Sequence, residues 1–144
     1  MKVLLVEDNQ HKTTQITDYI NSYFPLAKVS LRKSYNSGLR ELIKKQDYDI
    51  ILLDMSLPNY DIEGGESGDD FEPLAGKYLL SEMYRREINV KVSIITMYES
   101  YVDEEFNADL KLNFPNYEGV IYFNLNDPDG WKAELFNLFT KIQQ

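Results

Sequence analysis

Short apolar runs alternate with segments of helical period along this chain, and the alternation constrains the fold more than any other feature. The apolar runs lie at residues 2–7, 27–32, 49–54, 91–96 and 119–123, and the helix candidates lie at about 10–23, 36–46, 75–87, 99–111 and 128–142. Such alternation predicts a parallel sheet with right-handed crossovers and helices on both faces. A length of 144 residues suits one domain of this class. We therefore expect a single α/β domain.

Acidic residues close two of the apolar runs. Glu7 and Asp8 follow the run at 3–6, and Asp54 follows the run at 50–53. If these runs are neighbouring parallel strands, the three carboxylates meet at the carboxyl edge of the sheet, where α/β proteins bind ligands. Carboxylates so close together repel one another unless a proton or a divalent cation joins them. The pattern therefore predicts a Mg²⁺ site with an acidic nucleophile.

Each of these residues also has a simpler interpretation. Asp8 follows a strand and precedes a helix candidate, where acidic residues often cap the helix. Glu7 is equally compatible with a surface carboxylate. Asp54, alone at the end of a continuous apolar run, is harder to explain without a function. The only histidine, His11, lies in the first turn of a predicted helix, and we expect it to be exposed and inert.

An acidic, glycine-rich stretch at about 59–73 interrupts the alternation. Its composition predicts a long solvated loop. The loop leaves the sheet at the same edge as Asp54 and is therefore expected to lie beside the predicted site. The acidic spacing is partly that of a calcium-binding loop, but Glu66 stands where that loop requires glycine. We therefore interpret the stretch as an acidic insertion rather than a calcium site.

Composition excludes several classes of function. The chain has 24 acidic and 15 basic residues, and its net charge of −9 repels a phosphate backbone, so direct nucleic-acid binding is not expected. The absence of cysteine removes disulfides, zinc-thiolate sites and thiol nucleophiles. No apolar stretch reaches the roughly 18 residues of a membrane span, and we expect a cytoplasmic protein without a membrane segment.

Three stretches together resemble the receiver domain of bacterial two-component response regulators. They are VLLVEDN at 3–9, SGLRELIKKQDYDIILLDMSLP at 37–58 and SIITM at 93–97. The resemblance covers most of the chain and implies a flavodoxin-like, doubly wound, five-stranded parallel sheet of order 2-1-3-4-5 with five helices. It also implies a role in a phosphorelay, with a histidine kinase or a phosphotransfer protein as the phosphodonor.

The resemblance also implies a role for each residue of the site. Asp54 is then the phosphoacceptor, and Mg²⁺ is held by Glu7, Asp8, Asp54 and the backbone carbonyl of Ser56. Thr96 is expected to contact the phosphoryl group and to act as the switch. Such a protein is a phosphoacceptor rather than an enzyme, and it passes its signal to a protein effector or to a downstream domain.

The chain departs from the family pattern at the end of the fifth strand. The family has a lysine there, and its position falls on Phe123 or Asn124 in this sequence. Met97, directly after Thr96, replaces the small residue that the family often has. These departures leave a second hypothesis open, namely a pseudo-receiver that acts as a phosphorylation-independent protein-interaction module.

Partner contacts in this family often use the face made by the fourth helix, the fifth strand and the fifth helix. By that analogy Phe106, Tyr117 and Tyr122 are candidate contacts for a protein partner or for a second copy of the chain in a homodimer.

Two enzymatic interpretations fail on chemistry. A haloacid-dehalogenase-like phosphatase requires an acid two positions after its nucleophile, and Ser56 stands two positions after Asp54. A flavodoxin requires a hydroxyl- and glycine-rich phosphate loop after the first strand, whereas Glu7 and Asp8 would repel the cofactor phosphate.

Overall fold

The computed structural model describes residues 1–62 and 70–143. The strands of this part of the chain are β1 (Lys2–Val6), β2 (Lys28–Arg32), β3 (Ile50–Leu53), β4 (Leu57–Pro58), β5 (Phe71–Glu72), β6 (Val92–Thr96) and β7 (Tyr117–Tyr122). Its α-helices are α1 (Gln10–Tyr23), α2 (Tyr35–Lys44), α3 (Ala75–Arg85), α4 (Glu104–Asn113) and α5 (Pro128–Gln143), and a 3₁₀ turn spans Glu99–Val102.

One five-stranded parallel sheet forms the centre of the molecule, in the order β2-β1-β3-β6-β7. Counted within this sheet alone, the order is 2-1-3-4-5, so the predicted fold class is confirmed. The strand order reverses beside β1, where β2 lies on one side and β3 on the other. The crevice at the carboxyl ends of such neighbouring strands is the usual ligand site of open α/β sheets.

Helices cover both faces of the sheet because the strands are apolar on both faces. On one face α1 and α5 bury Ile16, Ile20, Trp131, Leu135 and Phe139 against the sheet. On the other face α2, α3 and α4 bury Leu42, Leu79, Leu80, Met83 and Leu110. None of the helices described here combines the length and the apolar character that crossing a membrane requires.

The fourth helix begins later than its apolar pattern predicted. The expected start was residue 99, but Glu99–Val102 forms a 3₁₀ turn and α4 begins at Glu104. The cause is Asp103, whose side chain accepts the N–H of Phe106 at 3.0 Å and caps the helix at that point. A capping acid thus decides the boundary that periodicity alone placed about five residues too early.

The fifth strand of the sheet begins at Tyr117 rather than at residue 119 as predicted. The β6–β7 register shifts between Val92 and Ser93, and Gly119 lies at φ +123°, a conformation that other residues rarely adopt. The irregularity therefore lies inside the strand, and pairing continues on its amino-terminal side.

Two short antiparallel strands pair at the two ends of the acidic stretch. β4 and β5 pair antiparallel, and the N–H of Asn59 donates to the carbonyl of Asp70 at 3.0 Å. The predicted loop at 59–73 therefore has a paired base in the described structure. Residues 63–69, which carry Glu63, Glu66 and Asp69 of that loop, lie outside the described residues.

Candidate functional site

Three carboxylates meet at the carboxyl edge of β1 and β3. Val6 pairs with Leu53, so the residues that follow, Glu7 and Asp54, leave the sheet side by side. One carboxylate oxygen from each of Glu7, Asp8 and Asp54 lies within 4.8 Å of the other two. Glu7 is 1% exposed and Asp54 is 6% exposed, while Asp8 is partly exposed. The structure therefore brings together the three acids that the sequence singled out.

Backbone amides hold two of these carboxylates in place. Oε2 of Glu7 accepts the N–H groups of Asp8 and Asn9, each at 3.1 Å. Oδ1 of Asp54 accepts the N–H of Met55 at 2.8 Å. Because the donors belong to the chain segments that follow β1 and β3, the strand ends themselves orient the acidic groups.

Burial raises the pKa values of all three acids. It raises the pKa of Glu7 to about 7, against the opposing effect of the Lys12 ammonium group. Burial and the neighbouring Glu7 carboxylate raise the pKa of Asp8 to about 6. Burial also raises the pKa of Asp54, again against Lys12. A divalent cation would remove the need for protons, and an all-oxygen set of this kind fits Mg²⁺.

Ser56 and Thr96 lie close to this edge in the fold. Ser56 is half-buried and follows Asp54 by two residues. Thr96 is buried at the end of β6, next to β3 in the sheet, and its Oγ1 accepts the N–H of Tyr98 at 3.1 Å. The structure gives these positions, while the ligand role of the Ser56 carbonyl and the switch role of Thr96 stay predictions.

Lys12 is a residue of the site that the sequence reasoning missed. It is 0% exposed, forms an ion pair with Glu7, and lies 3.5 Å from Oδ1 of Asp54. Its Nζ also donates to the carbonyl of Ile95 at 2.6 Å. The signal was its spacing, since Lys12 precedes Ile16 and Ile20 at four-residue intervals and so belongs to the buried face of α1.

Phe123 stands directly after β7, at one of the two positions expected for the missing lysine. Its ring is buried, stacks on Trp131 with 4.8 Å between ring centroids, and lies 6.0 Å from Nζ of Lys12. Its N–H donates to the carbonyl of Thr96 at 2.7 Å. Met97 packs against the same apolar cluster, on the face covered by α1 and α5.

The aromatic residues proposed as partner contacts differ in exposure. Tyr117 is buried and its hydroxyl donates to Oδ1 of Asn107, so it is not available to a partner. Tyr122 is half-buried and donates to Oε1 of Glu99 at 3.2 Å. Phe106 is also half-buried, and His11 is exposed as expected.

Comparison with known proteins gives relatives over nearly the full chain. None of the known protein-family models matches. The uncharacterized protein y4jR of Sinorhizobium fredii is 30% identical, over 95% of this chain and 95% of that protein. The Detocs response regulatory protein DtcB of Enterobacter cloacae is 28% identical, over 99% of this chain and 100% of that protein.

A solved structure shares the fold. The response regulator TrrA of Thermotoga maritima, in complex with Mg²⁺ and beryllofluoride, superposes with a TM-score of 0.65 at 16% identity, over 98% of this chain and 97% of that one.

Proposed function

The chain belongs to the receiver domains of response regulators, which are signalling proteins, and from that premise we propose that it accepts a phosphoryl group on Asp54. In this proposal Mg²⁺ is held by Glu7, Asp8, Asp54 and the backbone carbonyl of Ser56. The observation that carries the proposal is the meeting of three carboxylate oxygens within 4.8 Å at the edge of β1 and β3. An isolated surface acid would have no reason to be buried among two others.

The chemistry is a phosphoryl transfer to a carboxylate. An oxygen of Asp54 forms a bond to phosphorus while the P–N or P–O bond of the phosphodonor breaks, and the electron pair leaves with the donor. Bound Mg²⁺ supplies neutralisation of the charge on the transferred group. Hydrolysis later breaks the bond between phosphorus and the Asp54 oxygen, which restores the carboxylate and releases inorganic phosphate.

The surrounding residues prepare Asp54 for this reaction. The Met55 N–H fixes one of its oxygens, and the neighbouring Thr96 hydroxyl is proposed to bind a phosphoryl oxygen. In the described structure Oγ1 of Thr96 accepts the Tyr98 N–H. Rotation of the Thr96 side chain toward the phosphoryl group would break its hydrogen bond with the Tyr98 N–H, which gives the proposed switch role a physical basis.

The wider role follows as part of the same proposal. A histidine kinase or a phosphotransfer protein is the expected phosphodonor, and a protein effector or a downstream domain receives the signal in the cytoplasm. The likeness to a protein named as a Detocs response regulatory protein supports this role. We further propose that residues 1–144 form one receiver domain with an acidic insertion at about 59–73.

Intact-mass measurement with a small-molecule phosphodonor tests the proposal. Wild-type protein incubated with Mg²⁺ and acetyl phosphate is expected to gain the mass of one phosphoryl group, and chelation of Mg²⁺ is expected to prevent the gain. Asp54→Asn should not gain this mass. Asp109→Asn, which alters an exposed acid of α4, is the matched control and should behave as wild type. A wild-type protein that stays unmodified at saturating donor contradicts the proposal.

The competing hypothesis is the phosphorylation-independent interaction module. It is motivated by the absence of a lysine at the end of the fifth strand. This site does not favour it, because all three carboxylates are present and a buried ammonium group lies among them. It would gain support if Asp54→Asn left partner binding unchanged under phosphorylating conditions.

A further inference from the structure

The buried ammonium group of Lys12 lies among the acids of the site rather than among apolar side chains. Lys12 begins the buried stripe of α1 that continues with Ile16 and Ile20, where an apolar side chain would pack at no electrostatic cost. Removing an ammonium group from water is expensive unless anionic and polar partners surround it. Its partners here are Glu7, Asp54 and the Ile95 carbonyl, so its compensation comes from the site itself.

The start of α1 aims Lys12 at the edge of the sheet. The Asn9 side chain caps the helix by accepting the Lys12 N–H at 2.9 Å. Lys12 is therefore the third helical residue, and helix side chains lean toward the helix amino terminus. Since α1 begins just beyond β1, this lean carries Nζ back to the strand ends, within 3.5 Å of Asp54.

An aromatic ring lies where the family resemblance expects a lysine. Phe123 is buried against Trp131, and its ring centroid lies 6.0 Å from Nζ of Lys12. A second ammonium group at this point would repel the first, whereas the face of an aromatic ring attracts a cation. The ring thus supports a cation that reaches the site from α1 instead of from the fifth strand.

The charge balance of the site requires a single positive charge in addition to Mg²⁺, and Lys12 supplies it. Glu7, Asp8 and Asp54 carry three negative charges when ionised, and Lys12 reduces the total to two, which one divalent cation balances. Phosphorylation replaces the single charge of Asp54 with about −1.5 to −2. The new charge lies on the oxygens of the phosphoryl group. A cation 3.5 Å from Oδ1 of Asp54 lies beside the carboxylate that receives this group and is placed to bind it.

We propose that Lys12 is the phosphoryl-binding cation of this receiver and replaces the lysine that the family carries at the end of the fifth strand. The inference rests on the proposed function. The Lys12 ammonium donates a charge-assisted hydrogen bond to an oxygen of the transferred phosphoryl group in place of its contact with Asp54. The donor bond breaks and the Asp54–phosphorus bond forms as described above, and no proton moves through Lys12.

A binding comparison tests the proposal with Mg²⁺ and with beryllofluoride as a phosphoryl mimic. Lys12→Met is expected to weaken beryllofluoride binding at saturating Mg²⁺ by about tenfold or more. Its Mg²⁺ binding should stay equal or become tighter, because a positive charge beside the metal ligands is gone. Lys44→Met, which alters an exposed lysine of α2, is the matched control and should change neither affinity. A merely structural lysine would weaken both affinities together.

A measurement on the wild-type protein decides the question even where Lys12→Met does not fold. Nuclear Overhauser effects from the bound fluorides to the side-chain protons of Lys12 are expected, and their absence overturns the proposal. The double variant Lys12→Met with Phe123→Lys should regain part of the beryllofluoride affinity, because it returns a cation to the site from the fifth strand.

The outcomes separate this inference from the proposed function. If wild type binds Mg²⁺ but does not bind beryllofluoride and is not modified by acetyl phosphate, the proposed function fails and the inference fails with it. If wild type binds beryllofluoride and Lys12→Met binds it equally well, the proposed function stands and only the role of Lys12 is overturned.

Discussion

At the scale of single residues, the site concentrates charge where the fold excludes water. Glu7, Asp54 and Lys12 are all nearly inaccessible, yet each is held by a backbone group or by an opposite charge. The pairing offsets much of the cost of removing these charges from water, whereas removing one partner leaves the other uncompensated. The properties of the site should therefore respond strongly to pH and to changes of one or two atoms.

The affinity for Mg²⁺ should rise with pH across the neutral range. In the metal-free protein the pKa of Glu7 is raised to about 7 and that of Asp8 to about 6, so both groups bind protons that Mg²⁺ must displace. We expect the affinity to increase from about pH 5.5 and to level off above about pH 8, with proton release on binding. Calorimetric titrations in buffers of different ionisation enthalpy measure both quantities. An affinity that is constant between these pH values contradicts the raised pKa values.

Gly76 allows α3 to approach the backbone of Asp54. A Cβ atom at this position would lie 2.9 Å from the carbonyl oxygen of Asp54 and 3.0 Å from Cα of Met55. Because both neighbours are backbone atoms, Gly76→Ala is expected to lower the free energy of unfolding by about 1–3 kcal/mol. Urea denaturation measures the loss.

The matched control for Gly76 is Gly130→Ala in α5. There the closest atom to the added Cβ is the end of the Asp127 side chain, which can rotate away. That rotation weakens the long contact of Asp127 Oδ1 with the Gly130 N–H, at 3.3 Å, but alanine favours a helix over glycine by about 0.5–1 kcal/mol, so this variant should stay close to wild type. Equal losses in the two variants would mean that the contact with Asp54 has no special weight.

At the scale of elements, α1 belongs to both the core and the site. Its buried stripe packs Ile16 and Ile20 on the sheet, and the same stripe ends in Lys12 among the carboxylates. The position of the first turn therefore sets where the ammonium group lies. Asn9 fixes that turn, since its side chain accepts the Lys12 N–H while its own N–H donates to Glu7.

Loss of the α1 cap should affect both stability and the site. Asn9→Ala is expected to lower the free energy of unfolding by about 1 kcal/mol, because the Lys12 N–H loses its acceptor. Beryllofluoride binding should weaken as well, but by less than in Lys12→Met. Asn9→Ser keeps a capping oxygen and is the control, expected to stay close to wild type in urea denaturation and in beryllofluoride titration. A loss of stability in Asn9→Ser equal to that in Asn9→Ala would exclude the cap as the cause.

At the scale of the whole molecule, two apolar clusters lie on opposite faces of one sheet. One cluster contains Leu79 of α3, and the other contains Trp131 of α5, the only tryptophan of the chain. Neighbouring residues of the central strands point to opposite faces, so each strand belongs to both clusters. We therefore expect the two faces to unfold together rather than as separate units.

The fluorescence of Trp131 should report a loss of stability caused by a substitution on the opposite face of the sheet. Leu79→Ala is expected to lower the free energy of unfolding by about 2–5 kcal/mol because it leaves a cavity in the buried α3 contact. The urea midpoint should fall equally when followed by Trp131 fluorescence and by far-ultraviolet circular dichroism. Leu26→Ala, at a side chain that is 88% exposed, is the control and should change the midpoint little. Two separate midpoints in Leu79→Ala would show that the faces unfold independently.

The sequence by itself determined the strand and helix alternation, the two-sided burial of the strands and the acids at two strand ends. Each of these depends on residue spacing that is local along the chain. The family resemblance supplied the strand order, and with that order the convergence of Glu7 and Asp54 followed. Local chemistry also explains why the predicted start of α4 was wrong, since capping by Asp103 outweighs the apolar periodicity.

Only the tertiary structure placed Lys12 in the site. Sequence spacing puts it on the buried face of α1, but whether that face ends in the core or among carboxylates depends on how the helix packs on the sheet. The same holds for Phe123, whose ring packs on Trp131 and beneath the Lys12 ammonium group. A cation can reach one point in space from several elements, so its absence from one strand does not reveal which other element supplies it.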